Sequence, residues 1–371
     1  MKLKTSNSVI RAHDISQLRF RDTPFVKLMN KRIYNILMVA SRYDMFILED
    51  DGRVDEQIFN EYTSLNLRYP PRFTQVSSNK EALAELKQSN YELIICMPNM
   101  DSSDTFILAK QLKELYPRIP VVLLTPFSKA VTKSLSKEDL SGIDYVFSWL
   151  GDTDLLLAII KLIEDNINVE HDVRTVGVQT IMLVEDSVRF YSSALSLLYK
   201  FVLSESKEFS KEALNDHLQM LRMRGRPKIL LARNYEEAVS YYQKFGDNML
   251  GVISDMSFNR EGVKDKLAGK KLGEWIRSID PDIPFIYTSS ESANRKYIED
   301  SKDLFIDKNS KTFPQDLYKA IKDNLGFGDF IISDPNTGKE IFRIRNLKEL
   351  QMNIRNIPDD SLYYHLSHNH F

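Results

Sequence analysis

Short apolar runs alternate with amphipathic stretches along most of the chain, and the whole alternation occurs twice. YNILMVAS (34–41) is an almost unbroken apolar run closed by small polar residues, the pattern of a strand covered on both faces. FTQVSS (73–78) predicts a second strand, and NKEALAELKQSN (79–90) has helical apolar spacing with Asn79 as its cap. YELIICM (91–97), IPVVLLT (119–125) and YVFSW (145–149) supply further strands, with helices over 105–116 and 153–166. Strands alternating with helices predict a parallel, doubly wound sheet.

The second round reads TIMLVED (180–186), KILLARN (228–234), MLGVISD (249–255), IPFIYTSS (283–290) and LFIDK (304–308) as strands. Helices are predicted over NYEEAVSYYQKF (234–245), KLGEWIRSI (271–279) and about 314–325. The simplest architecture is two α/β units in tandem, each a five-strand (βα)5 parallel sheet, joined by a linker near 167–178. The expected division is a tail at 1–30, a first unit at 31–167, a second at 178–327 and a C-terminal extension at 328–371. The second unit carries a mostly helical insertion near 200–227, far longer than an ordinary connection. In the extension, FIISDPNTGKEIFRIR reads as a hairpin, followed by a helix capped by Asn346 and stopped by Pro358. The final DDSLYYHLSHNHF starts another helix and stops in mid-pattern, as a piece of a longer protein would.

Composition narrows the function classes. Fifty basic against fifty-two acidic side chains give a net charge of −2, which excludes a generic polycation that coats nucleic acid. The single cysteine, Cys96, excludes a disulfide framework or a multi-cysteine zinc site. No apolar run approaches the roughly 20 residues of a membrane-spanning helix, and the N-terminus lacks the apolar core of a signal peptide. The expectation is a cytoplasmic protein without membrane or nucleic-acid partners. Arg222, Arg224, Arg226 and Lys228 cluster at the end of the insertion. They read as a solvated helix end, with a docking surface or phosphate contact as the alternative.

The strongest chemical signal is where charge falls in the second unit. Glu185 and Asp186 follow its first strand and Asp255 ends its third, so three carboxylates should converge at one crevice. Like charges so close raise one another's pKa unless a cation is present, and an all-oxygen donor set favours a hard ion such as Mg²⁺ together with a phosphoryl group. Ser289, with Thr288 before it, ends the fourth strand, and Lys308 ends the fifth. A carboxylate nucleophile, a metal pair, a hydroxyl and an ammonium suffice for phosphoryl transfer onto Asp255.

VED, ISDMS, TSS and IDK, each at a strand end, resemble the receiver domain of bacterial response regulators, a flavodoxin-like fold. The resemblance implies that Asp255 is the phosphoacceptor and that Glu185 and Asp186 are metal carboxylates. It further implies that Ser257 lends its backbone carbonyl to Mg²⁺, that Lys308 and Ser289 (or Thr288) attend the phosphoryl group, and that Phe305 is the switch aromatic. Asn309 stands where that family usually has proline, and the loop 256–268 is enlarged. The same template laid on the first unit finds Ala40 and Ser41 for the metal pair, Met97 for Asp255 and Trp149 for Lys308, with only Thr125 retained. Asp44 and Asp101 are nearby in sequence but in helix or loop positions. The first unit therefore reads as a pseudo-receiver, a scaffold or homodimer surface.

A second resemblance covers nearly the whole chain. HDVRTVGVQTIMLVEDSVRFYSS, RPKILLARNYEEA, LGVISD, KNS, LGFGDF and SLYYHLSHNHF are similar to the N-terminal region of bacterial proteins with two receiver-like domains before a domain like phosphoenolpyruvate synthase or pyruvate, phosphate dikinase. It implies a phosphorelay signal-transduction module, not itself an enzyme, taking phosphate from a histidine kinase or another phosphodonor and controlling a C-terminal effector domain. The alternatives are a purely structural tandem and a Mg²⁺-dependent phosphatase. A dehalogenase-type phosphatase would want an aspartate where Ser257 stands. GKKLG (269–273) lacks phosphate-loop spacing and reads as helix packing. His365, His368 and His370 could offer a metal site, but a continuing helix explains them better.

Overall fold

The computed structural model of the protein describes residues 25–48, 54–65, 67–98, 104–126, 138–149, 151, 153–211, 219, 222–298, 303–345 and 347–367. The first sheet is built from β1 (Asn35–Val39), β2 (Arg72–Val76), β3 (Leu93–Cys96), β4 (Val121–Pro126) and β5 (Tyr145–Trp149). Its order is β2-β1-β3-β4-β5 with every neighbour parallel. Helices α1 (Arg42–Leu48), α2 (Val54–Ser64), α3 (Asn79–Gln88), α4 (Asp104–Leu115) and α5 (Asp154–Val176) accompany it. The cap of α3 is Ser78 and not the expected Asn79: Ser78 Oγ accepts from Glu81 N while Glu81 Oε2 accepts from Ser77 N. This reciprocal arrangement satisfies amide groups that a helix start leaves free.

The second sheet uses β6 (Thr180–Val184), β7 (Lys228–Ala232), β8 (Met249–Asp255), β11 (Phe285–Ser289) and β12 (Leu304–Asp307), all parallel, in the order β7-β6-β8-β11-β12. Both sheets have the flavodoxin-like 2-1-3-4-5 order, so the α/β doubly wound architecture expected from the alternation is what forms. The helices of this half are α6 (Val188–Ser210), α7 (Tyr235–Phe245), α8 (Ala268–Arg277) and α9 (Phe313–Asn324). Of the insertion near 200–227, residues 212–218, 220 and 221 lie outside the described residues. The loop 256–268 contains an unforeseen hairpin, β9 (Phe258–Arg260) against β10 (Val263–Asp265).

Alternate residues of each central strand feed opposite cores, because strand side chains point in turn to either face. Leu37 and Val39 enter a core particular to the first sheet, and Met182 and Val184 one particular to the second. Ile36, Met38, Ile181 and Leu183 join a single shared core that α5 and α6 fill from between the sheets. Residues 167–176 continue α5, so the connection between the sheets is helical until Gly177, whose φ of 68° ends the helix.

The polar side of α5 organises the junction. Residues 25–30, part of the lead-in, pack on it: Leu28 is fully buried and Met29 N donates to Asp172. Lys31 and Ile33 donate their backbone N–H groups to Asn168 Oδ1 and Glu164 Oε1. Arg226 makes a two-pronged ion pair with Asp165 (2.8 and 2.9 Å), and Lys228 Nζ lies 3.1 Å from Asp172 Oδ2. Both cations are buried, which corrects the expectation of a solvated helix end or docking patch: their counter-ions come from some 60 residues upstream. The β5 edge of the first sheet is covered as well. Ser192 Oγ accepts from Ser148 N, Tyr191 donates its hydroxyl to Val146 O, and Arg233 donates to Asp144 O.

The extension forms the antiparallel hairpin β13 (Phe330–Ser333) and β14 (Glu340–Ile344), then α10 (Leu347–Asn353) and α11 (Asp359–Ser367). Ile332, Ile344 and Ile357 make a small core of their own, and His365 Nε2 accepts from Ser333 N. Asn346, His368 and His370 lie outside the described residues. Among the described residues no helix is long and apolar enough to cross a membrane.

Candidate functional site

In the second sheet, strand order reverses between β6 and β8, and a crevice opens beyond their carboxyl ends. Register brings the chemistry to one level: Val184 pairs with Ser254, Thr288 with Asp255 and Ser289 with Asp307. Glu185, Asp186, Asp255, Ser289 and Lys308 therefore surround a single cleft. One carboxylate oxygen each from Glu185, Asp186 and Asp255 lies within 4.8 Å of the others. The donor set is all oxygen and triply acidic, which fits a hard divalent cation such as Mg²⁺.

Lys308 is buried between two of the acids. Its ammonium donates to Glu185 Oε2, lies 3.0 Å from Asp255 Oδ1 and sits 4.6 Å from the centre of the Phe190 ring. Asp255 Oδ1 also accepts from Met256 N at 2.8 Å, so both of these contacts fall on one oxygen. Burial raises the pKa of Asp255 and Glu185, and Lys308 pulls against it; for Glu185 the charge of Asp255 adds to the rise.

The remaining positions are in place with their own partners. Ser289 Oγ accepts from Glu291 N (3.1 Å) and Asn294 Nδ2 (3.0 Å), and both Ser289 and Thr288 are buried. Phe305 is partly buried under the Arg295 guanidinium, 5.5 Å from its ring centre. Asn309 donates its side-chain amide to Ser290 O and so ties the two strand ends together. Ser257 is half-buried two residues after Asp255. The first glycine of GKKLG, Gly269, has a structural reason: a Cβ there would lie 2.1 Å from the main-chain oxygen of Asp255, so only glycine lets α8 back directly onto the site.

Sequence reading missed Lys264. The β9–β10 hairpin carries it over the site, where its ammonium donates to both oxygens of Asp186 (2.7 and 2.9 Å). The signal was present as Glu261-Gly262 between FNR and VKD: both turn residues have positive φ (54° and 77°), as a two-residue hairpin turn requires. Phe190, stacked against Lys308, was also missed.

In the first sheet the same register puts Met97 level with Asp255, Ala40 with Glu185, Thr125 with Ser289 and Trp149 with Lys308. Asp44 accepts from the Ser41 hydroxyl, and Ser41 Oγ in turn accepts from Asp44 N to cap the start of α1; Asp101 lies outside the described residues.

No protein-family model matches the sequence, and no curated protein matches it. Similar solved structures include the signal receiver domain of an HD domain-containing protein from Pseudomonas fluorescens, with 19% identity over 37% of this chain and 90% of the other, TM-score 0.26. A two-component system response regulator/GGDEF domain protein is 14% identical over 79% of this chain and 98% of its own, TM-score 0.30. NtrX from Brucella abortus, in complex with ADP, is 12% identical over 78% of this chain and 65% of its own, TM-score 0.29.

Proposed function

We propose that the protein is a phosphorelay module in which Asp255 accepts a phosphoryl group. On this reading 178–327 is a working receiver, 31–167 a non-phosphorylatable scaffold and 328–371 the route to an effector. The observation that carries it is Lys308 buried between Glu185 and Asp255, with Asp186 alongside, at the strand-order reversal.

Glu185, Asp186, Asp255 and the Ser257 carbonyl would hold a divalent cation, which would neutralise charge on the entering phosphoryl group. Asp255 attacks phosphorus through a carboxylate oxygen, and the bond from phosphorus to the donor's nitrogen or oxygen breaks with its electron pair leaving on the donor. Lys308 balances charge on the side it occupies. A rotation of Ser289 toward the new phosphoryl oxygens would loosen the bonds its Oγ accepts from Glu291 N and Asn294 Nδ2, which would link phosphorylation to the segment before β12 and to Phe305. The donor is a histidine kinase or a small acyl phosphate, and no diffusible substrate is turned over.

Intact mass after incubation with acetyl phosphate and Mg²⁺ tests this. One phosphoryl adduct is expected, absent from Asp255→Asn and from metal-free protein. No adduct, or an adduct that survives Asp255→Asn, sinks the reading; multiple turnover on small phosphomonoesters would favour a phosphatase.

A further inference from the structure

The β9–β10 hairpin is held in place at both ends. Phe258 is fully buried at its base, and Asp265 Oδ2 lies 2.7 Å from Lys271 Nζ on α8. At the tip Glu261 N donates to Glu236 Oε1, and the Arg260 guanidinium lies 4.8 Å from the centre of the Tyr235 ring. Asn259 bridges to Asn234, the cap of α7. Lys264, on the strand opposite Asn259, is thus positioned by the hairpin and does not sample the surface as a free lysine would. Its ammonium takes both oxygens of Asp186, the most exposed of the three clustered acids.

A divalent cation that uses Asp186 needs at least one of those oxygens, and within a few ångströms it would repel the ammonium. Lys308 also faces metal carboxylates, but it meets Glu185 through Oε2 and Asp255 through Oδ1, one oxygen of each, whereas Lys264 engages both oxygens of Asp186. The Lys264 side chain is 53% exposed, so it can leave Asp186 into water without disturbing the buried base of the hairpin. We propose that Lys264 is a tethered competitor for the divalent cation: it occupies Asp186 in the metal-free site and sets the metal concentration at which the site becomes competent. This rests on the reading of Glu185, Asp186 and Asp255 as the metal carboxylates.

The test is calorimetric titration of the full chain with Mg²⁺ alone, without phosphodonor. Lys264→Met and Lys264→Gln are both expected to bind Mg²⁺ about fivefold more tightly than the parent, as loss of a partly exposed competing ion pair implies. Lys264→Arg, which keeps a cation on the hairpin, is expected to stay near the parent. Lys270→Gln, which removes the same charge from α8 without touching Asp186, is expected to leave the affinity unchanged. Unchanged or weaker binding in both neutral variants, while the parent binds Mg²⁺, overturns the inference and leaves the site reading intact. An equal gain in Lys270→Gln also overturns it, because the effect would then be general charge. Absence of Mg²⁺ binding in every protein removes the site reading and the inference together.

Discussion

The two sheets have the same strand order and nearly the same register, yet their carboxyl edges differ completely in chemistry. At the level where the second carries Glu185, Asp255 and Lys308, the first carries Ala40, Met97 and Trp149. Met97 and Ala40 are absorbed into the shared core, so the first sheet has spent its crevice on packing. The second sheet keeps three buried charged groups there, which are costly to desolvate and stand only because each faces an opposite charge. A fold of this kind tolerates the loss of its site because strands, helices and core do not depend on it. What the first sheet retains is its interface: β5 is covered by α6, and α5 is shared.

The sharpest way to break the comparison is to cross the two edges. Met97→Asp placed in an Asp255→Asn chain should not restore a phosphoryl adduct by intact mass, because Ala40, Ser41 and Trp149 supply neither metal carboxylates nor an ammonium. An adduct at full yield would mean that the second edge is not special.

Next in size is the junction. Arg226→Met leaves Asp165 buried without its two-pronged partner and should cost about 3–5 kcal/mol in urea unfolding. Because the core is continuous across both sheets, one cooperative transition is expected. Two separate transitions would show the units to be independent.

A pH series sharpens the contrast in charge. Burial lifts Glu185 from its ordinary 4.5 to about 7. A raised folded-state value means stability is fully present below the unfolded pKa and is lost as pH rises through the folded one. In metal-free buffer, stability should therefore fall between about pH 4.5 and 7, by up to about 3 kcal/mol. Glu185→Gln should flatten that slope, whereas substitutions at Ala40 should not alter it. An unchanged slope in Glu185→Gln would remove this carboxyl as its cause.

Smallest is the backing of the site. Gly269→Ala forces a methyl against the main chain of Asp255 and should cost about 1–3 kcal/mol while slowing phosphoryl uptake. A neutral result in both would mean that α8 can move freely away from β8.

Much of this was legible in the sequence. Unbroken apolar runs such as LIIC and TIMLV announced strands buried on both faces, since nothing else places four or five consecutive apolar residues so economically. The convergence of Glu185, Asp186, Asp255, Ser289 and Lys308 followed from their positions at strand ends, because a parallel sheet brings those ends to one side. Local signals could not report partners far away in the chain. Arg226 and Lys228 look like a solvated basic cluster until α5 brings Asp165 and Asp172 against them. Lys264 looks like one more surface cation until the Glu261-Gly262 turn sets it over Asp186. Nor does any local pattern show that the two sheets share one core, which depends on how α5 and α6 pack between them.

By itself, then, the sequence determined the strands, their parallel doubly wound arrangement and the edge at which the charged residues gather, all of which depend on short-range periodicity and on strand-end position. Only the tertiary structure decided which charges are buried, which are paired and which lysine lies against Asp186. Those properties belong to pairs of residues that packing brings together from distant parts of the chain, and no stretch of sequence contains both members.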